Sequence, residues 1–310
     1  MDLRQLNALV AIADHGSFSA AARALYTVQS NVSGHIARLE RELGVTLVDR
    51  AAGGLTDAGA GVVERARRIQ RELDAIAAST SADDDAVAGI VHLGVIPTTA
   101  RWIVPELLRE LTVTHPDVRA ILSEGNTTSL IPRLLDTQLD AAVVHLPVDD
   151  PELGVEPLFA EDLVIVTVAT HPVARREEVS IASLAAHPLL LPPRGTALRR
   201  MVDRAAAAVD VELTTAVEVD GVRLLTSLAE GGLGPAIIPA TSLPQPLPPT
   251  LRAVAVPELP RRVVGWVARR RPAPTAAARA TLALLRAGIA RHCHEQPGVH
   301  VTDVSPFANR

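Results

Sequence analysis

The sequence has no lysine, a single cysteine and very few aromatic residues, and each shortage excludes something. Because all 30 basic residues are arginine, the choice of base reflects a GC-rich coding sequence and carries no functional message. Cys293 stands alone, so no disulfide can close within the chain. Aromatics make up 2% of 310 residues, so the cores must be built from Ala, Val, Leu and Ile. No stretch approaches the ~18 consecutive apolar residues of a membrane span. Asp2, Arg4 and Gln5 interrupt the apolar run that a signal peptide needs, so a cytoplasmic chain with no membrane partner is expected. Catalytic signatures are missing too: there is no G-x-S-x-G elbow, no Walker loop and no H-E-x-x-H pair. An enzyme is therefore not expected, and neither catalytic residues nor a cofactor are assigned. The ten histidines are scattered and read as surface residues. His292-Cys293-His294 with His300 could tempt a metal reading, but no second cysteine supports zinc and no metal is expected.

A net charge of −5 argues against a general polyanion binder. Residues 1–71 hold nine Arg against seven acidic residues, so any nucleic-acid binding must come from arrangement and not from bulk charge.

The stretch from Phe18 to Leu43 has such an arrangement. It reads as two short helices joined by the turn Tyr26-Thr27-Val28-Gln29. Ala20, Ala21 and Ala22 in the first helix are small enough to let the second approach closely. The second helix places Val32, Ile36, Leu39 and Leu43 on one apolar stripe, with Ser30, Asn31, Gly34, Arg38 and Arg41 opposite. Small and amide-bearing residues can reach base edges, and arginines can hold phosphates. The competing reading is an ordinary amphipathic hairpin with a solvated polar face. The neighbours favour DNA binding. Leu3, Leu6, Leu9, Val10 and Ala13 predict a preceding helix, and residues 44–56 predict a short β wing.

LRQLNALVAIADHGSFSAAARAL, QSNVS, IARLERELGVTLVDR and LTDAG, in that order over about sixty residues, resemble the LysR-type transcriptional regulators. The chain departs from the family pattern at Val28 (usually Ser), Asn31 (usually Ala) and Val48 (commonly Phe), and its AAGG wing is about two residues short. The resemblance implies a winged helix-turn-helix DNA-binding domain over residues 1–57 and a linker helix with hinge over 58–88. It also implies contacts to double-stranded operator DNA from Gln29, Ser30, Asn31, Ser33, Gly34, His35, Arg38 and Arg50. A homodimer through the linker helix, assembly to a homotetramer, and RNA polymerase as a further partner follow from the same resemblance.

Val62, Val63, Ala66, Ile69, Leu73 and Ile76 give the linker helix an apolar face that needs a partner, and a second copy would supply one. From Gly89 onward strands and helices alternate, which predicts an α/β domain with parallel strands. By the same resemblance, residues 89–292 form a two-lobed effector-binding domain of type II periplasmic-binding-protein fold. Lobe 1 is expected at about 89–161 and 266–292, lobe 2 at about 162–265, and a disordered tail at 293–310.

Open α/β sheets bind ligands at the carboxyl ends of their strands, beside helix N-termini. The candidate effector residues there are Thr98, Thr99, Asn126, Thr127, Thr128, Arg194, Gly195, Thr196, Asp220 and Gly221. Hydroxyls, amides and one arginine suit a small anion such as a carboxylate. Each of these threonines could equally serve only as a helix cap. Two other classes compete with the regulator: a free-standing solute-binding protein and an enzyme on the same two-lobed fold. Loss of operator binding in Arg38→Ala would exclude both.

Overall fold

The computed structural model describes residues 1–49, 54–79 and 87–301. The chain divides into two compact units, Met1–Ala82 and Asp83–Arg310.

The first unit contains helices α1 (Leu3–His15), α2 (Phe18–Ala24) and α3 (Gln29–Leu43). Strands β1 (Val48–Asp49) and β2 (Gly54–Leu55) follow, then the long α4 (Asp57–Ser79). Local chemistry sets each boundary. Asp2 and Gln5 close a capping box on α1, and Gly16 ends that helix at φ 72°. Ser17 caps α2, and Gly44 ends α3 at φ 69°. Ala21 is completely buried, as close approach of α3 requires, and Val32, Ile36 and Leu39 fill the same core. Leu43, expected on that stripe, is 40% exposed. Glu40 reaches beyond the helix end to accept from the backbone N–H groups of Leu47 (2.8 Å) and Val48 (3.2 Å), tying the wing to α3. The glycine of LTDAG has a steric cause: a Cβ on Gly59 would lie 2.0 Å from the Leu47 carbonyl oxygen.

Helix α4 serves two ends. Val63 and Ala66 pack into the first unit's core, Gln70 donates to Asn7 at 2.8 Å, and Arg67 pairs with Asp14. Further along, Ile69, Leu73 and Ile76 are exposed.

The second unit opens with β3 (Gly89–Val95), α5 (Pro97–Thr114), β4 (Val118–Glu124), α6 (Thr127–Leu135), β5 (Ala141–His145) and β6 (Leu153–Glu161). It continues through β7 (Leu163–Val168), α7 (Ile181–Leu184), β8 (Leu189–Leu191), α8 (Ala197–Ala208), β9 (Thr215–Glu218), α9 (Val222–Glu230), β10 (Ala236–Pro239) and β11 (Leu251–Ala255). It ends with β12 (Arg262–Arg269), α10 (Ala276–His292) and β13 (Val299–Val301).

These strands form two sheets, ordered β13-β6-β12-β5-β3-β4 and β11-β7-β10-β8-β9. Strands β4, β3 and β5 run parallel, while β12, β6 and β13 join antiparallel, so lobe 1 is a mixed sheet. The first core combines Leu93, Ile103, Leu107 and Phe159, and the edge of the Trp102 ring meets Phe159 at 5.0 Å. Lobe 2 is almost wholly aliphatic on both faces of its sheet.

Two expectations need correction. The chain re-enters lobe 1 at Arg262, where β12 begins, and not at 266, because Arg262 must stand opposite Glu161. Strand β6 holds Pro157 and charged residues without a strand-like alternation, yet it is flanked on both sides by β12 and β13. The segment after residue 292 is folded as far as Val301. A 3-10 turn at Cys293–Glu295 leads into β13, and the buried Gln296 side chain donates to the Ala240 carbonyl at 2.7 Å.

Candidate DNA-binding face and effector cleft

On α3 the polar side is open. Gln29, Ser30, Asn31 and Arg38 are exposed, Ser33, Gly34 and His35 are half-buried, and the opposite face is sealed by Val32, Ile36 and Leu39. Two of the polar residues are oriented from the turn side: Ser19 Oγ donates to Gln29 at 3.1 Å, and Asn31 Nδ2 donates to Thr27 at 2.9 Å. Arg38 Nη2 lies 3.2 Å from His35 Nδ1, and since a guanidinium can only donate, the imidazole accepts. No side chain caps α3, because Val28 stands at the cap. The Asn31 amide turns back to the Val28 carbonyl at 3.0 Å, so the Gln29 and Ser30 amides and the positive end of the helix dipole are what α3 offers an anion such as a phosphate. Between the α1–α2 corner, α3 and β1 lies an open depression of ≈ 380 Å³ lined by Gly16, Ser17, Gln29, Ser33 and Asp49 among others. Arg50 lies outside the described residues.

In the second unit the lobes face each other across a cleft. A cavity of ≈ 440 Å³ at its mouth is lined by Pro97 and Glu124 from lobe 1 and by Gly221, Val222, Arg223, Leu224 and Ser227 from lobe 2. Arg223 spans it to reach Glu124 at 3.4 Å. Both groups are largely exposed, so this bridge is weak.

Deeper in, the two crossings between lobes run side by side and carry a buried ion pair. Arg262 Nε donates to Glu161 at 2.8 Å, and Arg262 Nη2 donates to Thr98 Oγ1 at 2.6 Å. The other Glu161 oxygen accepts from the Thr241 amide (3.0 Å) and hydroxyl (2.7 Å). Every member is at least nine-tenths buried. Taking two charges out of water is costly, so such a pair persists only when its remaining valences are met, as the two threonines do here.

His145 adds a third ionisable group. Val264 pairs with His145 and Arg262 pairs with Glu161. Paired residues and residues two apart share a sheet face, so His145, Arg262 and Glu161 stand together at the carboxyl end of β5. From lobe 2, Arg200 is near enough to act on the same imidazole. Burial first, then the charges of Arg262 and Arg200, push His145 down to about 4. The ring is neutral near pH 7.

Of the residues expected at this site, Thr98 binds Arg262, and Thr127 Oγ1 accepts from the His145 amide at 3.2 Å. Asn126 and Thr196 act as N-caps, accepting from Ser129 (2.9 Å) and Arg199 (3.2 Å), and Thr128 donates to Asn126 at 2.8 Å. Arg194, Gly195, Asp220 and Gly221 are exposed, with Gly221 in the mouth cavity. Thr99, expected in the cleft, is fully enclosed, because one helical step turns it some 100° away from Thr98. Sequence reasoning missed His145, Glu161, Arg200 and Arg262. His145, Glu161 and Arg262 stand at strand ends and Arg200 in the first turn of α8, but the partners that bring them together lie far away in sequence.

Among the described residues no helix is long and apolar enough to cross a membrane, and no group of three His, Cys, Asp or Glu could hold a metal. Residues 3–60 match the family described as bacterial regulatory helix-turn-helix protein, lysR family, and residues 84–290 match the LysR substrate binding domain. A hydrogen peroxide-inducible genes activator of Pectobacterium carotovorum subsp. carotovorum is 32% identical over 248 residues, covering 79% of this chain and 82% of that protein. The DNA-binding transcriptional dual regulator OxyR of Escherichia coli K12 is 32% identical over 278 residues, covering 87% of this chain and 90% of its own. A full-length cysteine-to-aspartate variant of OxyR from Pseudomonas aeruginosa superposes with a TM-score of 0.72 at 25% identity, over 99% of both chains. With both domain families matched in order, the chain belongs to the LysR family of DNA-binding transcriptional regulators.

Proposed function

We propose that this regulator reads operator DNA through the polar face of α3 and takes a small oxyanion, of carboxylate type, in the cleft between its two lobes. The observation that carries the ligand reading is the convergence of Arg262, Arg200 and His145, whose one neighbouring carboxylate, Glu161, is already bound by Arg262 and Thr241. Residues near them, among Thr98, Asn126, Thr127, Thr128, Arg194, Gly195 and Thr196, would complete the contacts. On the DNA side, Gln29, Ser30, Asn31, Ser33, Gly34 and His35 would meet bases and Arg38 the backbone. The exposed Ile69, Leu73 and Ile76 on α4 support a homodimer through that helix. Such a dimer would present two recognition helices about one DNA turn apart, ~34 Å, to an interrupted inverted repeat. Tetramer assembly, and a change in subunit packing when the anion closes the cleft, would transmit binding to transcription.

Relatives named for hydrogen peroxide raise a thiol-based response as a second reading. This chain supplies little chemistry for it. Its single cysteine, Cys293, is buried at the end of α10, where its thiol donates to the Ala290 carbonyl at 3.4 Å, and it has no second cysteine to pair with.

The test is binding of the purified chain to the DNA upstream of its own gene, across a salt series and against scrambled DNA, with and without a panel of small carboxylates. Sequence-dependent binding with a steep salt slope, altered by at least one carboxylate, is expected. A random-sequence selection that enriches no operator would sink the DNA reading. Operator binding indifferent to every anion but responsive to peroxide would sink the ligand reading.

A further inference from the structure

We propose that the cleft takes up its anion together with one proton, and that His145 receives that proton; the proposal rests on the anion reading above. The geometry places His145 at the end of β5 with Arg262 on the same sheet face and Arg200 approaching from lobe 2. The groups facing it from each packed element can be named. β12 contributes Arg262, β6 contributes Glu161, α8 contributes Arg200, and α6 and α5 contribute the hydroxyls of Thr127 and Thr98. The oxygens of the carboxylate among them are taken by Arg262 at 2.8 Å and by Thr241 at 2.7 Å, so it offers the ring no acceptor. Thr127 meets the His145 backbone, and the imidazole ring itself has no hydrogen-bond partner among the described residues.

Burial and then the guanidinium charges of Arg262 and Arg200 oppose protonation of the ring. An oxyanion seated between them reverses the local balance. It screens the guanidinium groups and offers an acceptor to the ring, so the protonated form becomes the favoured one. Binding and protonation are then linked, each strengthening the other by the same factor. The device is specific to an anion. A neutral ligand in the same position would leave the repulsion in place.

The experiment uses the full-length chain and inorganic sulfate, which stays doubly charged between about pH 5 and 8, with oxalate as the second probe. Affinity is expected to weaken by about tenfold per pH unit over the lower part of that range and to level off near neutrality, the slope of one proton per anion. In His145→Gln the profile flattens, while in Arg200→Gln binding weakens at every pH. Following the His145 ring by NMR in the wild-type chain supplies a readout without a variant: its titration midpoint must move upward when sulfate is added. Saturable binding with a flat profile, a slope retained in His145→Gln, or an unmoved midpoint overturns the proton coupling alone. If neither anion binds at any pH, the anion reading of the cleft falls, and the coupling with it.

Discussion

The candidate recognition face and the candidate effector cleft are gathered in opposite ways. Helix α3 delivers Gln29, Ser30, Asn31, Ser33, Gly34, His35 and Arg38 from one 15-residue segment, and its backbone alone sets their spacing. The floor of the cleft draws on α5, β5, β6, α8 and β12, and the bond between Arg262 and Thr98 joins residues 164 positions apart. The first surface is polar and open, and its exposed side chains take no part in the core beneath it. The second is charged, and buried at Thr98, Glu161 and Arg262, whose bonds depend on one another. A site read from helix periodicity is robust but weak per residue, whereas one assembled by tertiary contacts is strong and fragile.

Substituting the centre of the cleft should expose that difference most. Glu161→Gln leaves Arg262 buried without its counter-charge, a change that should cost about 3–5 kcal/mol. Chemical denaturation of the full chain, followed by a probe in the second unit, measures it. A loss below about 1 kcal/mol would mean that the pair is solvated and the crossings are not held by it.

Acid stability should follow next. His145 has a folded value of about 4 against an ordinary 6.5, so unfolding takes up a proton between those limits. The contribution of this group is thus fully present above about pH 6.5 and is lost as pH falls toward 4, by at most about 3 kcal/mol. Thermal melts of wild type and His145→Gln across that window should diverge from neutral pH downward, with the variant less acid-sensitive. Parallel curves would show that the ring is freely solvated.

On the open surface, Arg38→Ala should weaken operator binding by ten- to a hundredfold, about 1–3 kcal/mol, while leaving the melting temperature within a degree or two. If Arg38 holds a phosphate, the salt slope should drop by about one, and if it reads a base, discrimination at one operator position should relax instead. An unfolded Arg38→Ala would break the contrast between the two regions.

The smallest expected effect is Thr196→Ala, which removes the α8 cap that accepts from the Arg199 amide and should cost about 1 kcal/mol of stability. Anion affinity falling much further than that would make Thr196 a direct ligand contact as well as a cap.

The legibility of the chain follows the same division. The helix-turn-helix could be read because Val32, Ile36 and Leu39 repeat with the helical period, and because Gly16, Ser17 and Gly44 mark the ends chemically. Leu43 misled, since it is the last residue of the helix and stands 40% exposed. The β3-α5-β4-α6-β5 order was legible from alternating texture, but β6 was not. Its Pro157 and charged residues argue for a loop, and only β12 and β13 on either side make it a strand. The fold from Cys293 to Val301 was hidden for the same reason, because a three-residue strand has no period of its own to display.

At the candidate effector site, sequence reasoning found the helix starts, and capping was one of the two roles it offered for them. Threonine and asparagine there could be named because caps are local, and in Asn126 and Thr196 capping is what the structure displays. His145, Glu161, Arg200 and Arg262 could not be found, since nothing near a charged residue in sequence says which distant partner removes its cost of burial.

The sequence by itself determined what depends on neighbours a few residues away: the helix caps, the polar face of α3, the small residues that let helices approach and the alternation of strands and helices. Tertiary structure alone decided which charges meet. Pairing β12 with both β5 and β6 sets Arg262 beside Glu161 and His145, and docking of α8 brings in Arg200. The physical reason is range. Hydrogen-bonded helix ends and side-chain periodicity act over one or two turns of chain, whereas desolvation and Coulomb interactions depend only on distance in space, which the fold creates.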